Sequence, residues 1–588
     1  MKKLSILLIP IILFSCQPQA EQEQQKPISE VFEDYYQDRL KLFPMEATYA
    51  GDERYNDIFP NNLTADYENQ VREMFTGYKN ALSAYDKAAL TEEEQMSYDV
   101  LMWECDMGLS ELEFSTELLP VDQFWSIHLS IGQFASGSSV QPFKTAEDYE
   151  NWLNRVNNFM AWCDTAMVNM KKGMEQGIVL PKSLSEKVIP QFTDFAKEPV
   201  EENLFYTPAK NFPEEMNPDS KSRLEKSYRK MVEEQVIPKF TEFTTFMKEE
   251  YLPAGRETSG IAGIPNGEEY YNNRIKYYTT TTMTADEIFE LGKSEVARLS
   301  SEMEKVKEQV GFKGNLKAFF DHVRNKKELM PFNEPQQVIA NFNAVHEKMK
   351  PQLSQLFDLT PKTPFTVKRT EAFREKSASA EYNPGSLDGT RPGVFYVPIP
   401  DVNSYNFYSD EDLFLHEAIP GHHYQISLQQ ENINLPSFRK PLWYSAYGEG
   451  WALYSESLGT ELGLYKDPYQ YFGMLGAEMH RAIRLVVDAG MHSKGWTREE
   501  AIQYSLDNEA ESEASIISEI ERYMAGPGQA LSYKIGQLKI RQLRAKAEEA
   551  MGDQFDIKVF HNKVLESGCI PLQLLENKID KWIAEAKP

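Results

Sequence analysis

The sequence predicts a mainly α-helical fold carrying a small β-sheet, and three observations support that expectation. Long segments repeat apolar residues at helical spacing. Proline and glycine gather in two stretches, 253–267 and 383–400, instead of punctuating the chain evenly. Between the breakers of the second stretch stands one short extended run, Val394–Val397.

From the N-terminus, MKKLSILLIPIILFSC sets two lysines before a short apolar run, Leu4 to Phe14, and ends at Ser15-Cys16. Its charge, length and flanks are those of a secretory signal. The run falls short of the roughly 20 residues that a membrane-spanning helix needs. A cysteine directly after a small residue points to a lipoprotein cleaved before Cys16 and acylated there, with plain secretion as the alternative. Residues 16–30 are polar and read as a tether, which leaves 31–588 as the expected single folded unit. The expected location is outside the cytoplasm, lipid-anchored at the outer membrane and facing the periplasm or the surface. Cys105, Cys163 and Cys569 are too few and too far apart for a dense disulfide framework, so stability has to come from a core. A net charge of −28 argues against a nucleic-acid partner.

Helical patterning then follows at 86–118, 218–248 and 283–311, the last opened by a Thr284/Glu287 capping box and closed by Gly311. Further helices are expected at 336–357, 408–418, 444–461, 469–492, 497–524 and 530–550.

Nine histidines occur in the chain, and three of them fall in HEAIPGHHYQ, residues 416–425. Imidazole nitrogens with a carboxylate alongside are what a zinc ion and its polarised water require. In the usual zinc helix the second histidine follows the first by four positions, but Pro420 stands there. The candidates are therefore His422 and His423, six and seven positions after His416. On an undisturbed helix the seventh residue lies ~10 Å further along, too far to share an ion. Pro420-Gly421 has to distort the helix if either is to ligate. His422 is preferred and His423 stays open; whichever is unused would support the site or touch substrate. The expected third ligand is Glu449 in GEGWALYSE, and Glu456 on the same helical face could hold a ligand histidine in place. Glu417, adjacent to His416, can reach the water rather than the ion and is the expected general base. The bland reading of 416–425 is a histidine-rich surface turn.

These motifs stand with others: FPMEATYAGDERYND (43–57), GIPNGEEYYNNRIKYYTTTTMT (263–284), YNPGSLDGTRPGVFYVP (382–398), RAIRLVVDAGMHSKGWT (481–497) and GPGQALSYKIG (526–536). Together they resemble the domain of unknown function 885 family, which is grouped with zincin-type metallopeptidases, over almost all of the chain after the signal. The resemblance implies a zincin-like metallopeptidase core, about 380–540, within a mainly α fold with a small β-sheet and a cleft between helical lobes. It also implies that a glutamate on the helix downstream of the histidine helix ligates zinc, a role that Glu449 matches. The longer gap between histidines departs from that pattern.

His480, Arg484, Asp488 and His492 recur every four residues on an otherwise apolar segment. One reading is a solvated stripe. The other pairs Arg484 with Asp488 to brace the site and turns His492 towards substrate and oxyanion. Arg481 offers a guanidinium to a substrate carboxylate. Tyr533 is expected to donate to the oxyanion. Val394, Phe395 and Tyr396 are expected at a sheet edge, because Pro398 and Pro400 cannot donate to a ladder, and an extended peptide could add there as a strand. The expected function is a zinc-dependent hydrolase, a peptidase acting on short extended peptides. A zinc amidohydrolase or esterase and a non-catalytic binding lipoprotein are the alternatives.

Overall fold

The computed structural model describes residues 26–371, 375, 378–386 and 391–586. The signal segment, Cys16 and the first part of the tether lie outside the described residues. Apolar side chains collapse into two cores. The smaller is aromatic: Trp152, Phe159 and Trp162 of helix α1 (Ala146–Gln176) pack with Phe192, Phe205 and Phe240. A Thr145/Asp148 capping box starts α1, a helix that the sequence reading did not single out.

The larger core is built from helix pairs. Helix α2 spans Gly267–Thr279, and α3 (Ala285–Gln309) opens on the expected Thr284/Glu287 box. Helices α4 (Asp410–Glu417), α5 (His422–Glu431), α6 (Ser445–Ser457) and α7 (Pro468–Lys494) follow in order. Segment 497–524 is two helices rather than one, Arg498–Asn508 and α8 (Glu513–Ala525), because Ser512 caps a new start by accepting from Ser515 N–H. Helix α9 is Ser532–Met551. The apolar face of α3 (Ile288, Val296, Leu299) lies along that of α7, which buries Ile483, Leu485 and Val486. Among the described residues no helix is long and apolar enough to cross a membrane, and the three cysteines are buried and unbonded.

Helices α6 and α9 meet backbone to backbone. A Cβ on Gly450 would stand 2.4 Å from Gly536 Cα, and one on Gly536 would stand 1.8 Å from Ala446 O. Two glycines therefore set how closely α6, which carries Glu449, can seat against the core.

The sheet has three strands, β1 (Phe365–Arg369), β2 (Glu381–Asn383) and β3 (Gly393–Val397), in the order β1-β3-β2. Strand β3 pairs in parallel with β1, Val394 opposite Thr366, and antiparallel with β2, Tyr382 opposite Phe395. The expectation that Val394–Val397 forms an edge is therefore wrong. β3 is the most buried of the three strands, so it takes the centre, while Pro398 and Pro400 follow the ladder and interrupt none of it.

Alanine in a helix interior ordinarily stabilises by ~1 kcal/mol over glycine. Gly450→Ala should instead lower unfolding stability by about 1–3 kcal/mol, since the new methyl meets backbone that cannot rotate away. Urea denaturation measures the sign, and a stabilised variant would contradict the close crossing.

Candidate metal centre

Helix α4 stops at Glu417, and Ala418 leaves helical geometry with φ −106° and ψ −101°. After the turn Ala418–Gly421, α5 begins at His422. Gly421 lies against the last turn of α4, where a Cβ would come within 1.9 Å of His416 O. The Ile419–Pro420 peptide is cis. Trp451 of α6 donates its indole N–H to Pro420 O at 2.7 Å, fastening the turn to the helix that bears Glu449. The His416 and His422 rings end 4.7 Å apart between centroids, about half of the ~9 Å rise that six residues of straight helix would give.

Glu449 Oε2 lies 3.6 Å from His416 Nε2 and 3.4 Å from His422 Nε2. One ligand atom from each of the three falls within 4.8 Å of the others. Ligands at 2.0–2.1 Å around a tetrahedral zinc stand about 3.3–3.4 Å apart, so two imidazoles and a carboxylate at these separations fit a divalent cation. Behind the cluster, His416 Nδ1–H donates to Glu456 Oε1 at 2.7 Å, which leaves Nε2 facing Glu449. His422 Nδ1 is buried with no hydrogen-bond partner.

His423 turns away. Tyr382 of β2 donates to its Nδ1 at 2.8 Å, and its ring packs on Phe365 of β1. Adjacent helical residues diverge by about 100°, so one histidine joins the cluster while the next is held by the sheet. Burial pushes the His423 imidazole down to about 4.

The charges around the cluster are unevenly satisfied. Burial opposes ionisation of Glu449, yet the neighbouring His422 and His416 rings hold its carboxyl well below the usual range. Burial also opposes protonation of His416, but hydrogen bonds to Glu449 and Glu456 push it up to about 10. Burial raises the Glu417 carboxyl, with His416 and His422 opposing and Glu449 adding. Burial, then nearby Glu449, raises the Tyr533 phenol, which stays protonated with Arg484 stacked 4.5 Å over its ring.

The four-residue stripe on α7 is largely buried rather than solvated: Arg484 Nη2 donates to His480 Nε2 at 3.1 Å, and the other side-chain bonds of the stripe run to other elements. His480 Nδ1–H donates to Glu509, and Arg484 donates to Glu519 and to Tyr523 Oη. Asp488 accepts from Tyr271 O–H at 2.6 Å and from Gly528 N–H at 3.2 Å, so the expected Arg484–Asp488 pair does not form. His492 Nδ1 accepts from Ile261 N–H at 2.9 Å and its Nε2–H donates to Tyr523 O at 3.0 Å. Neither nitrogen is left for substrate, and the expected oxyanion role of His492 is withdrawn. Arg481 donates to Ala477 O, and its charge reaches Glu417 and Asp412. Val394, Phe395 and Tyr396 have their ladder occupied on both sides, so they offer substrate no strand edge.

Two neighbours escaped the sequence reading. Asp412, one helical turn before His416, is buried beside Glu456 with Oδ1 unpartnered. Its spacing from His416 was the available signal. Trp443 stands 5.7 Å from the His422 ring and is 42% exposed, and no local pattern marked it.

Comparison with known proteins follows this geometry. Residues 44–579 match the family described as bacterial protein of unknown function (DUF885). A candidate lipoprotein of known structure from Colwellia psychrerythraea is 26% identical, with a TM-score of 0.86 over 95% of this chain and 99% of that one. A candidate lipoprotein of unknown function from Shewanella oneidensis is 18% identical, with a TM-score of 0.74 over 94% and 99% of the two chains. The search of curated proteins returned no match.

Two outcomes are expected. Glu456→Gln should weaken divalent-metal binding about 10–100-fold, and Glu449→Ala should weaken it further, as read by metal content after dialysis. Tight stoichiometric metal in Glu449→Ala would remove that residue from the ligand set. Separately, burial pushes Asp488 up to about 7, against the hydrogen bonds from Tyr271 and Gly528. A carboxyl whose folded value exceeds its unfolded one stabilises fully below about pH 4 and loses that contribution as pH rises towards 7. Relative to Asp488→Asn, the parent should lose ~1.4 kcal/mol per pH unit across that window. Denaturation curves at pH 4.5 and 7.5 test it, and a pH-independent difference would contradict it.

Proposed function

The chain belongs to the DUF885 family of bacterial proteins, and from that footing we propose that it is a zinc-dependent hydrolase of amide bonds, with short peptides as its preferred substrates. The observation that carries the reading is the convergence of His416 Nε2, His422 Nε2 and Glu449, with Glu456 behind one ligand and Glu417 beside it. Two nitrogens and one carboxylate form a donor set of the kind that catalytic zinc takes, with a position to spare. Zinc held there would supply a Lewis acid that acidifies water and polarises a carbonyl.

The remaining work falls to the chain itself. Glu417, a buried carboxyl adjacent to a ligand, takes the proton of the attacking water and returns it to the leaving nitrogen. Glu456 fixes the tautomer of His416. Tyr533, protonated and close to Glu449, donates to the oxyanion, and Arg484 stacked on its ring steadies the phenol. Arg481 adds positive charge near Glu417. The same proposal includes a zincin-type core at about 380–540 beside a cleft between helical lobes, inside one domain spanning 31–588. It also includes export and lipid anchoring at Cys16 in the outer membrane, supported by the two candidate lipoproteins of similar fold.

A second reading is an amidohydrolase or esterase acting on a non-peptide substrate. It draws on the centred β3, which removes the strand edge on which an extended peptide would have paired.

Glu417→Gln should lower kcat about 10²–10⁴-fold while metal content stays at the parent's level. Retained turnover would remove Glu417 as the base. A panel of free and blocked peptides against simple amides and esters separates the two readings, and metal binding with no turnover on any of them would favour a binding lipoprotein.

A further inference from the structure

A cavity of about 270 Å³ opens where the two hydrophobic cores meet, with Val121 and Val179 of the smaller core and Met524 of the larger in its wall. Helix α2 contributes Tyr270, Arg274 and Tyr278, and the same helix packs against α6 and α9, which carry Glu449 and Tyr533. Residues Met524–Pro527 form another side, and the chain runs on from them through Gln529–Leu531 into α9.

The charged groups in this wall are already engaged. Glu113 pairs with Arg72 at 3.2 Å, and Asp122 accepts from the backbone N–H groups of Phe124 and Trp125 at 2.6 and 2.5 Å. Arg256 gives Nε to Val179 O at 3.0 Å and Nη1 to Gly260 O at 2.7 Å. Arg274 pairs with Glu111 at 2.8 Å among the rings of Tyr270, Tyr277 and Tyr278, and its Nε and Nη2 are closed to solvent. Two acids thus stand with two bases, and each has its partner in the protein. A charged guest would leave water with no free counter-charge to meet it. The wall instead offers apolar and aromatic surface, from Trp125, Val179, Ile264, Met524 and the tyrosine rings. An apolar cavity of ~150 Å³ already admits benzene, so about 270 Å³ holds a ring with a short chain attached.

One wall residue is displayed rather than packed. Trp125 is 48% exposed and its neighbour Phe124 45%, and their rings meet edge to face at 4.8 Å. The segment that carries them is pinned. Asp122 closes a turn on their N–H groups, Gln191 donates to Gln123 O at 2.9 Å, and Gln123 donates to Glu521 O of α8 at 2.8 Å. Gly526 makes room for the indole, since a Cβ there would stand 2.5 Å from Trp125 Nε1. Its φ is −122°, so no left-handed backbone calls for glycine at that position and the indole does. A tryptophan held half in water on a pinned segment forgoes the burial its ring would gain in a core. A guest ring stacked on that face recovers it.

We propose that this cavity binds an uncharged aromatic or bulky apolar group, with Trp125 as the face on which a ring stacks. For the hydrolase reading this names a substrate class, peptides and amides that carry such a group. In that respect it rests on the reading above, whereas binding of the group itself does not require hydrolysis.

The test is calorimetric titration of the full chain with phenylpropanol, propanol and phenylpropanoate, none of which can be hydrolysed. Phenylpropanol should bind the parent about tenfold or more tightly than either of the others, because propanol lacks the ring and the carboxylate brings a charge without a partner. Trp125→Ala should weaken phenylpropanol about fivefold or more. Ala525→Trp fills the cavity from its wall and should abolish binding, whereas Glu449→Ala should leave it unchanged. Equal affinity for the two alcohols, no binding of either, or tighter binding of the carboxylate overturns the proposal in the parent alone. Unchanged affinity in Trp125→Ala also overturns it, and that substitution at a half-exposed position spares the fold. Loss of binding in Glu449→Ala would move the ring to the metal centre and defeat the proposal as well. Failure of the hydrolase reading would appear separately, as a chain that binds phenylpropanol normally and turns over no amide.

Discussion

The centre depends on a helix that stops. Had α4 run through to residue 425, His416 and His422 would point in different directions and no ion could bridge them. The break at Ala418, the bare α-carbon of Gly421 against His416 O and the indole bond from Trp451 to Pro420 O fold the second histidine back onto the first. Glu449 then completes the set only because the glycines at 450 and 536 let α6 seat directly on α9. One backbone reversal and one close crossing account for the geometry. The side chains supply chemistry to a frame that is already bent.

Around that frame the protein spends polar groups freely in its interior. The ladder along α7 reaches Glu509, Glu519, Tyr271, Gly528 and Ile261, so each rung ties α7 to a different neighbour. Buried networks of this kind rigidify when every member is satisfied and weaken a core when one is not. Lys534 extends the pattern, fully buried yet paired with Glu478 and Glu295. The wall behind the metal centre is therefore held by polar bonds as well as by apolar packing, with Arg484 Nη1 left buried and unpartnered.

Much of this was legible in the chain. The helical class, the capping box at Thr284, and the placing of His416, Glu449 and Glu456 on neighbouring helices all follow from spacing. What spacing could not resolve was direction and distance. Which of His422 and His423 faces the cluster depends on torsions in a four-residue turn. Breakers around Val394–Val397 mark where a strand ends but not how many partners it has, and β1 and β2 both pair with it. The i,i+4 repeat of Arg484 and Asp488 suggested a local pair, while the carboxylate that Arg484 uses, Glu519, lies 35 positions away. Helix α1 was legible too, since Tyr149, Trp152, Val156, Phe159, Cys163, Ala166 and Met170 recur at three- and four-residue spacing after the Thr145/Asp148 box.

The reversal between His416 and His422 also has an informational consequence. Most connections in a protein absorb an added or lost residue with little loss, since loop closure depends only weakly on length. This one cannot. One residue more or fewer between Ala418 and Gly421 would swing His422 by about 100° and take the glycine away from His416 O. The interval from His422 to Glu449 is pinned by other means, since Gln429 donates to the carbonyls of Arg439, Lys440 and Leu442. A search for distant chains with the same centre should hold the Ala418–Gly421 interval at its present length.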